Sequence, residues 1–133
     1  MFYNSIGILK YSDNPYKLIV EVDEEISRYY RYLVPKFINL KKQAFPAHIS
    51  VVRKEIPLNT EFWKKYNNIE INFIYENIIY NDNTYYWLNA FSPKLEKIRL
   101  ELGLPNISDI TCSPDKKHKF HITIGNLKKI TVT

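Results

Sequence analysis

Two four-residue segments of the chain have nearly the same sequence: HISV at 48–51 and HITI at 121–124. Polar and apolar side chains alternate in both, as they do in a β-strand that buries one face. The histidine and the hydroxyl residue therefore share one face of each strand, and the aliphatic residues share the other. Such strands fit only a fold in which an apolar core covers one side of a sheet and leaves the other side polar.

Turn residues and hydrophobic periodicity organise the N-terminal part of the chain. Segments 6–10 and 17–22 are rich in β-formers and flank a turn sequence, which predicts a hairpin. Asp23 is the predicted N-cap of a helix whose apolar residues recur at helical spacing as far as Phe37. Pro35 should kink or end this helix, since proline lacks the amide hydrogen that a helix needs.

The middle of the chain predicts more strands than helix. A strand is predicted over 46–54, and Asn59 or Thr60 is a possible cap for a short helix that runs to Tyr66. Three further β-rich segments are separated by turn residues, which predicts a β-meander. They lie at 69–75, 78–80 and 85–90.

Residues 92–103 have the clearest helix signals, with Ser92 as N-cap, Pro93 at the first position and Gly103 beyond the last turn. A loop is predicted over 104–117 and a final strand over 119–125. This order of elements predicts a single α+β domain over 1–133, with mostly antiparallel strands and two main helices.

Charge and cysteine content narrow the class of partner and the compartment. With 19 Lys and Arg against 14 Asp and Glu, the net charge is +5, which favours an anionic partner such as a nucleotide, RNA or a phosphorylated metabolite. Cys112 is the single cysteine, so an intramolecular disulfide is excluded. The N-terminal residues lack a signal-peptide pattern, and no apolar run has the length of a membrane span. We expect a soluble cytoplasmic protein without a membrane partner.

The repeated segments carry residues suited to phosphodiester cleavage. This reaction needs a base to deprotonate water or a ribose 2′-hydroxyl and an acid to protonate the leaving oxygen, and imidazole serves in either role near neutral pH. We therefore predict His48 and His121 as catalytic residues. Ser50 and Thr123 are predicted to bind the phosphate, and Lys119 adds a positive charge. This scheme needs no cofactor and no metal.

Trp87 and Tyr11 are further candidates for substrate binding. Trp87 is either a platform on which a base stacks or a core residue. Tyr11 either reaches the phosphate or lies solvated at the end of a strand. A zinc site built from Cys112, His118 and His121 is disfavoured because the two histidines of a His-x-x-His spacing point to opposite faces of a strand.

The paired motifs resemble those of the two-histidine (2H) phosphoesterase superfamily. The resemblance covers nearly the whole chain, and segments 28–32 and 48–53 are similar to the phage and large-virus branch. That branch includes RNA-repair-like proteins and phage enzymes that destroy cyclic oligonucleotide immune signals. The resemblance implies a bilobed fold, with mostly antiparallel sheets around a central cleft and two main helices outside. It also implies catalysis by His48 and His121 and phosphate binding by Ser50 and Thr123. In a viral setting the compartment would be the host cytoplasm.

Several functions fit this pattern. The favoured one is cleavage of cyclic oligonucleotide messengers, and the alternative is processing of 2′,3′-cyclic phosphate ends of RNA. A module that binds nucleotides or RNA without catalysis is a hypothesis of another class, since histidines and hydroxyls also bind anions. In a purely structural protein the two motifs would be a coincidence. The sequence predicts neither the base preference nor the oligomeric state.

Overall fold

The computed structural model of the protein describes residues 1–128. Within this range the chain forms seven β-strands and two α-helices. In chain order the elements are β1 (Phe2–Ser12), β2 (Lys17–Glu21), α1 (Glu24–Leu33), β3 (His48–Arg53), β4 (Glu70–Glu76), β5 (Tyr80–Asn81), β6 (Tyr85–Phe91), α2 (Pro93–Glu101) and β7 (Phe120–Asn126). In the described part of the chain, neither helix has the length and apolar content to cross a bilayer.

The seven strands form one sheet in the order β4-β1-β2-β3-β7-β6-β5, and all pairs are antiparallel. A further antiparallel pairing joins β4 to β6 through Ile74 with Phe91 and Tyr75 with Ala90. This pairing closes six strands into a barrel, with β5 attached to β6. The predicted α+β class and its mostly antiparallel strands are confirmed.

Helix α1 begins where the sequence predicts it to begin. The Asp23 carboxylate accepts a hydrogen bond of 2.9 Å from the Glu25 amide, as an N-cap does. The helix ends at Leu33, because Val34 takes an extended conformation before Pro35. The predicted apolar stripe does not continue to Phe37, which lies in a separate 3-10 turn and is 83% exposed.

The predicted short helix over 59–66 is wrong. Only a 3-10 turn forms there, over Thr60–Phe62, and Asn59 makes no capping hydrogen bond. Its side-chain amide instead donates to the Glu101 carbonyl at the end of α2, at 3.0 Å. Lys64 then adopts a φ of 68°, which a right-handed helix cannot accommodate.

Helix α2 has both predicted end signals. The Ser92 hydroxyl accepts a hydrogen bond from the Leu95 amide at 3.3 Å, and Pro93 occupies the first turn. Gly103 follows the helix with a φ of 79°, a conformation that costs glycine little.

Apolar side chains from all six barrel strands form one core cluster together with residues of α2. A row of four fully buried side chains runs across the sheet, from Val20 through Ile49 and Ile122 to Leu88. Tyr30 of α1 and Val34, directly after its end, pack into a second cluster with residues of β6 and β7. Both aliphatic positions of each repeated segment are buried, which leaves the histidines and hydroxyls on the opposite face.

Arg99 of α2 is a fully buried side chain that connects three parts of the chain. Its guanidinium pairs with both carboxylate oxygens of Glu55, at 2.9 and 2.7 Å. It also donates to the carbonyls of Val51, at 2.8 Å, and Pro105, at 2.7 Å. Arg99 therefore ties strand β3 to helix α2 and to the loop that follows it.

Candidate active site

The register between β3 and β7 brings the two repeated segments together. Ile49 is the Cα partner of Ile122, so antiparallel pairing puts His48 next to Thr123 and Ser50 next to His121. The two histidines are then diagonal neighbours on one face, and such positions lie about 7–8 Å apart. Each imidazole has a hydroxyl side chain opposite it on the other strand.

Two further polar residues extend this face on the neighbouring strands. Glu21 of β2 is the Cα partner of His48, and Asn89 of β6 is the Cα partner of His121. Sequence analysis missed both, because a strand sequence gives its alternation but not the residues that lie beside it. A known register for the sheet would have identified them.

The backbone fixes the orientation of His48. Its ring Nδ1 lies 2.8 Å from the carbonyl oxygen of Pro46. Since a carbonyl only accepts hydrogen bonds, Nδ1 carries a proton, and Nε2 is the nitrogen available to a substrate. The side chain is half-buried, so that nitrogen remains accessible.

His121 lies in a more densely packed environment. Its Nδ1 is buried and has no hydrogen-bond partner among residues 1–128. The pKa of His121 is lowered to about 4, mainly by burial and to a smaller extent by the nearby His48, while the backbone of Thr111 and the charge of Asp115 act in the opposite direction. His121 is therefore neutral at pH 7. The effect of His48 on this pKa also indicates that the two imidazoles are close enough to interact.

This pKa predicts a pH-dependent stability. Between pH 6.5 and 4 the unfolded chain binds a proton at His121 that the folded protein does not. As the pH decreases from 6.5 to 4, the free energy of unfolding should fall by about 3 kcal/mol. Above pH 6.5, His121 should not change the pH dependence of stability. Denaturant unfolding of the wild type and of His121→Gln at several pH values measures the difference. Identical pH dependence of the two proteins would contradict the prediction.

The other predicted phosphate contacts are only partly brought to this face. Ser50 and Thr123 lie beside the histidines and are half-buried. Lys119 lies just before β7, and its ammonium forms an ion pair with Glu96. Lys119 can therefore reach a phosphate only by leaving that partner.

Trp87 is the Cα partner of Thr123 and lies on the histidine face, but it is only 1% exposed. Its indole Nε1 donates to the Asn89 side-chain carbonyl at 3.0 Å, and Tyr80 stacks on its ring at 6.2 Å. The hypothesis that a base stacks on Trp87 is therefore disfavoured, because other side chains already cover the ring. The alternative role in the core fits its burial.

Tyr11 lies away from the histidines, contrary to the predicted phosphate contact. It alternates with Leu9 on the core face of β1, and its ring packs edge-on against Trp63 at 4.9 Å. Burial raises the pKa of its hydroxyl to about 12. The sequence predicts a strand that ends at Lys10, whereas β1 continues to Ser12 and Tyr11 is half-buried on its core face.

Metal ligands and similar proteins give no additional indication of function. Within residues 1–128, no group of three or more His, Cys, Asp or Glu residues has an arrangement that could hold a metal ion. No protein-family model, curated protein or solved structure matches the chain. The chemistry of the site is therefore inferred from its own residues.

Proposed function

We propose that the protein is a metal-independent, two-histidine phosphodiesterase of the superfamily that its motifs resemble. The observation that supports this most is the register at Ile49 and Ile122, which brings two imidazoles and two hydroxyls to one face. Acid–base cleavage of a phosphodiester needs a base and an acid around one phosphorus atom, and hydroxyl donors can stabilise the charge that develops on its oxygens. We also propose that the protein has the bilobed fold of this superfamily, with a central cleft and both helices outside.

The two histidines differ in ways that favour different roles. His121 is neutral because its pKa lies near 4, so it can accept a proton from a ribose 2′-hydroxyl or from water. His48 holds a proton on Nδ1 against Pro46, and its protonated form presents a second N–H at Nε2 to the leaving oxygen. We therefore assign His121 as base and His48 as acid. Such a division of roles follows when two like groups have different environments.

A bound phosphate strengthens this division. Ser50 and Thr123 lie beside the imidazoles and can donate hydrogen bonds to its non-bridging oxygens. The negative charge of the phosphate also favours a protonated His121, which makes it a stronger base in the complex than in the free protein.

The favoured substrate is a cyclic oligonucleotide in which a 2′-hydroxyl lies beside the scissile phosphodiester. The second candidate is an RNA end with a 2′,3′-cyclic phosphate. Incubation with cyclic dinucleotides, cyclic trinucleotides and cyclic-phosphate RNA ends, all with EDTA present, tests the proposal. We expect turnover of at least one class. Binding that weakens with salt and leaves every ligand intact would indicate the non-catalytic binding module instead.

The assignment of His121 predicts the pH profile. The acidic limb of kcat/KM should lie near pH 4, because this parameter reports the free protein. The acidic limb of kcat should lie at higher pH, since bound phosphate raises the pKa of His121. Steady-state rates from pH 3.5 to 9, with circular dichroism at each pH as the control for folding, measure both limbs. An acidic limb of kcat/KM near pH 6.5, the ordinary histidine value, would contradict the assignment.

A further inference from the structure

A cavity of about 230 Å³ lies next to His121, at the end of β6 and the start of β7. Its lining includes Ala90 and Phe120, which are Cα partners and form the pair directly after Asn89 and His121. Consecutive residues of a strand are about 3.3 Å apart. The cavity therefore begins one residue step from His121.

One lining side chain extends from the face that carries the candidate site, and a second comes from the residue just before β7. Phe91 follows Asn89 by two residues on β6, and Lys119 directly precedes β7, two residues before His121. Residues two apart on a strand point to the same side. The cavity and the candidate site are therefore neighbouring parts of one surface.

The lining combines a flat apolar wall with a polar edge. The Phe91 ring forms the wall, and the ring of His118 meets it edge-on at 5.6 Å. The ion pair of Glu96 and Lys119 provides an acceptor and a donor side by side. Lys117 adds an exposed positive charge at the rim. A nucleobase has the complementary features, since it has flat faces and an edge of donors and acceptors.

The size of the cavity suits one part of a larger ligand. Sites for complete small molecules usually have volumes of about 300–1,000 Å³. The smaller cavity beside His121 fits a single ring system whose attached phosphate lies outside it, towards the histidines.

We infer that this cavity is a subsite for the base of a nucleotide joined to the one that carries the scissile phosphate. This inference rests on the proposed function and narrows its substrate to chains or rings of at least two nucleotides. The base lies against Phe91, its edge meets the Glu96 and Lys119 pair, and Lys117 attracts the neighbouring phosphate.

Two substrates that differ by one nucleotide test the inference. One is a nucleoside 2′,3′-cyclic phosphate, and the other is a dinucleotide with the same cyclic-phosphate end and either adenine or guanine on the added nucleotide. We expect kcat/KM to be about tenfold higher for the dinucleotide, as stacking of one extra base implies. In Phe91→Leu this ratio should fall close to one.

A second variant and a matched control accompany Phe91→Leu. Glu96→Gln keeps the shape of the cavity but removes the charge from its polar edge. The ratio of kcat/KM between dinucleotide and mononucleotide should then differ between adenine and guanine dinucleotides more than it does in the wild type. Phe37→Leu changes an aromatic residue that is 83% exposed and outside the cavity, and it should keep the wild-type ratio. Thermal unfolding of each variant separates a lost subsite from a lost fold.

The outcomes separate this inference from the proposed function. Equal kcat/KM for both substrates in the wild type would overturn the subsite and leave the phosphodiesterase intact. If neither substrate is turned over, calorimetric titration of the wild type and Phe91→Leu with the dinucleotide tests whether the subsite binds a base. Binding that is about tenfold weaker in Phe91→Leu would support the subsite without the enzyme. Equal binding by the wild type and Phe91→Leu, or none by either, would overturn the subsite, and the phosphodiesterase proposal is overturned as well if the cyclic oligonucleotides also stay intact.

Discussion

Alanine at either His48 or His121 should reduce turnover of the phosphodiester substrate by about 10²–10⁴-fold, the usual contribution of a positioned acid or base. Each variant removes one partner of the proton transfer and leaves the hydroxyls of Ser50 and Thr123 in place. Steady-state kinetics on the best substrate of the panel measures the loss. Because the two residues act as a unit, the double variant should lose little more than the worse single variant.

The control for this result is the fold of each variant. Both side chains lie on the polar face of the sheet, opposite the buried row that contains Ile49 and Ile122. Near-UV circular dichroism at pH 7 should therefore match the wild type. Near-normal activity of either correctly folded variant would exclude the acid–base assignment.

Replacement of Arg99 by methionine should lower the free energy of unfolding by about 3–5 kcal/mol. Methionine keeps much of the side-chain volume, but the Glu55 carboxylate loses its partner in a largely buried position. The carbonyls of Val51 and Pro105 lose their donors as well. Denaturant unfolding at pH 7 measures the change, and a loss below about 1 kcal/mol would show that the buried pair contributes little.

An exposed ion pair gives the matched control. Lys65 pairs with Glu101 at 3.1 Å, but both side chains keep contact with solvent. Lys65→Met should therefore change stability far less than Arg99→Met, since water already solvates the charges. In the double variant Arg99→Met with Glu55→Gln, part of the lost stability should return because no unpaired charge remains.

Local signals in the sequence predicted the features that depend only on residues close together in the chain. Asp23, Ser92 and Gly103 act through hydrogen bonds or dihedral angles within their own helices, so their roles follow from short segments. The alternation in the repeated segments likewise predicted that each histidine shares a face with a hydroxyl. The exposed end of the apolar stripe at Phe37 was not predictable, because no other element covers it.

Contacts between strands decided most of the features that sequence analysis missed. Trp87 is on the histidine face, but Tyr80 of the neighbouring strand β5 stacks on its ring, and its indole donates to Asn89 on the same strand. Glu21 enters the site only through the pairing of β2 with β3. The closure of the barrel depends on two residue pairs between β4 and β6, which leave no recognisable pattern in either strand.

The position of β7 in the sheet has a consequence for the synthesis of the protein. This strand is the last in the described chain, yet it lies between β3 and β6. A ribosome therefore releases β3 and β6 long before the strand that joins them, and loop closure over such separations slows folding. Since His121 arrives on that same strand, a nascent chain has neither a closed barrel nor a catalytic pair until β7 is inserted.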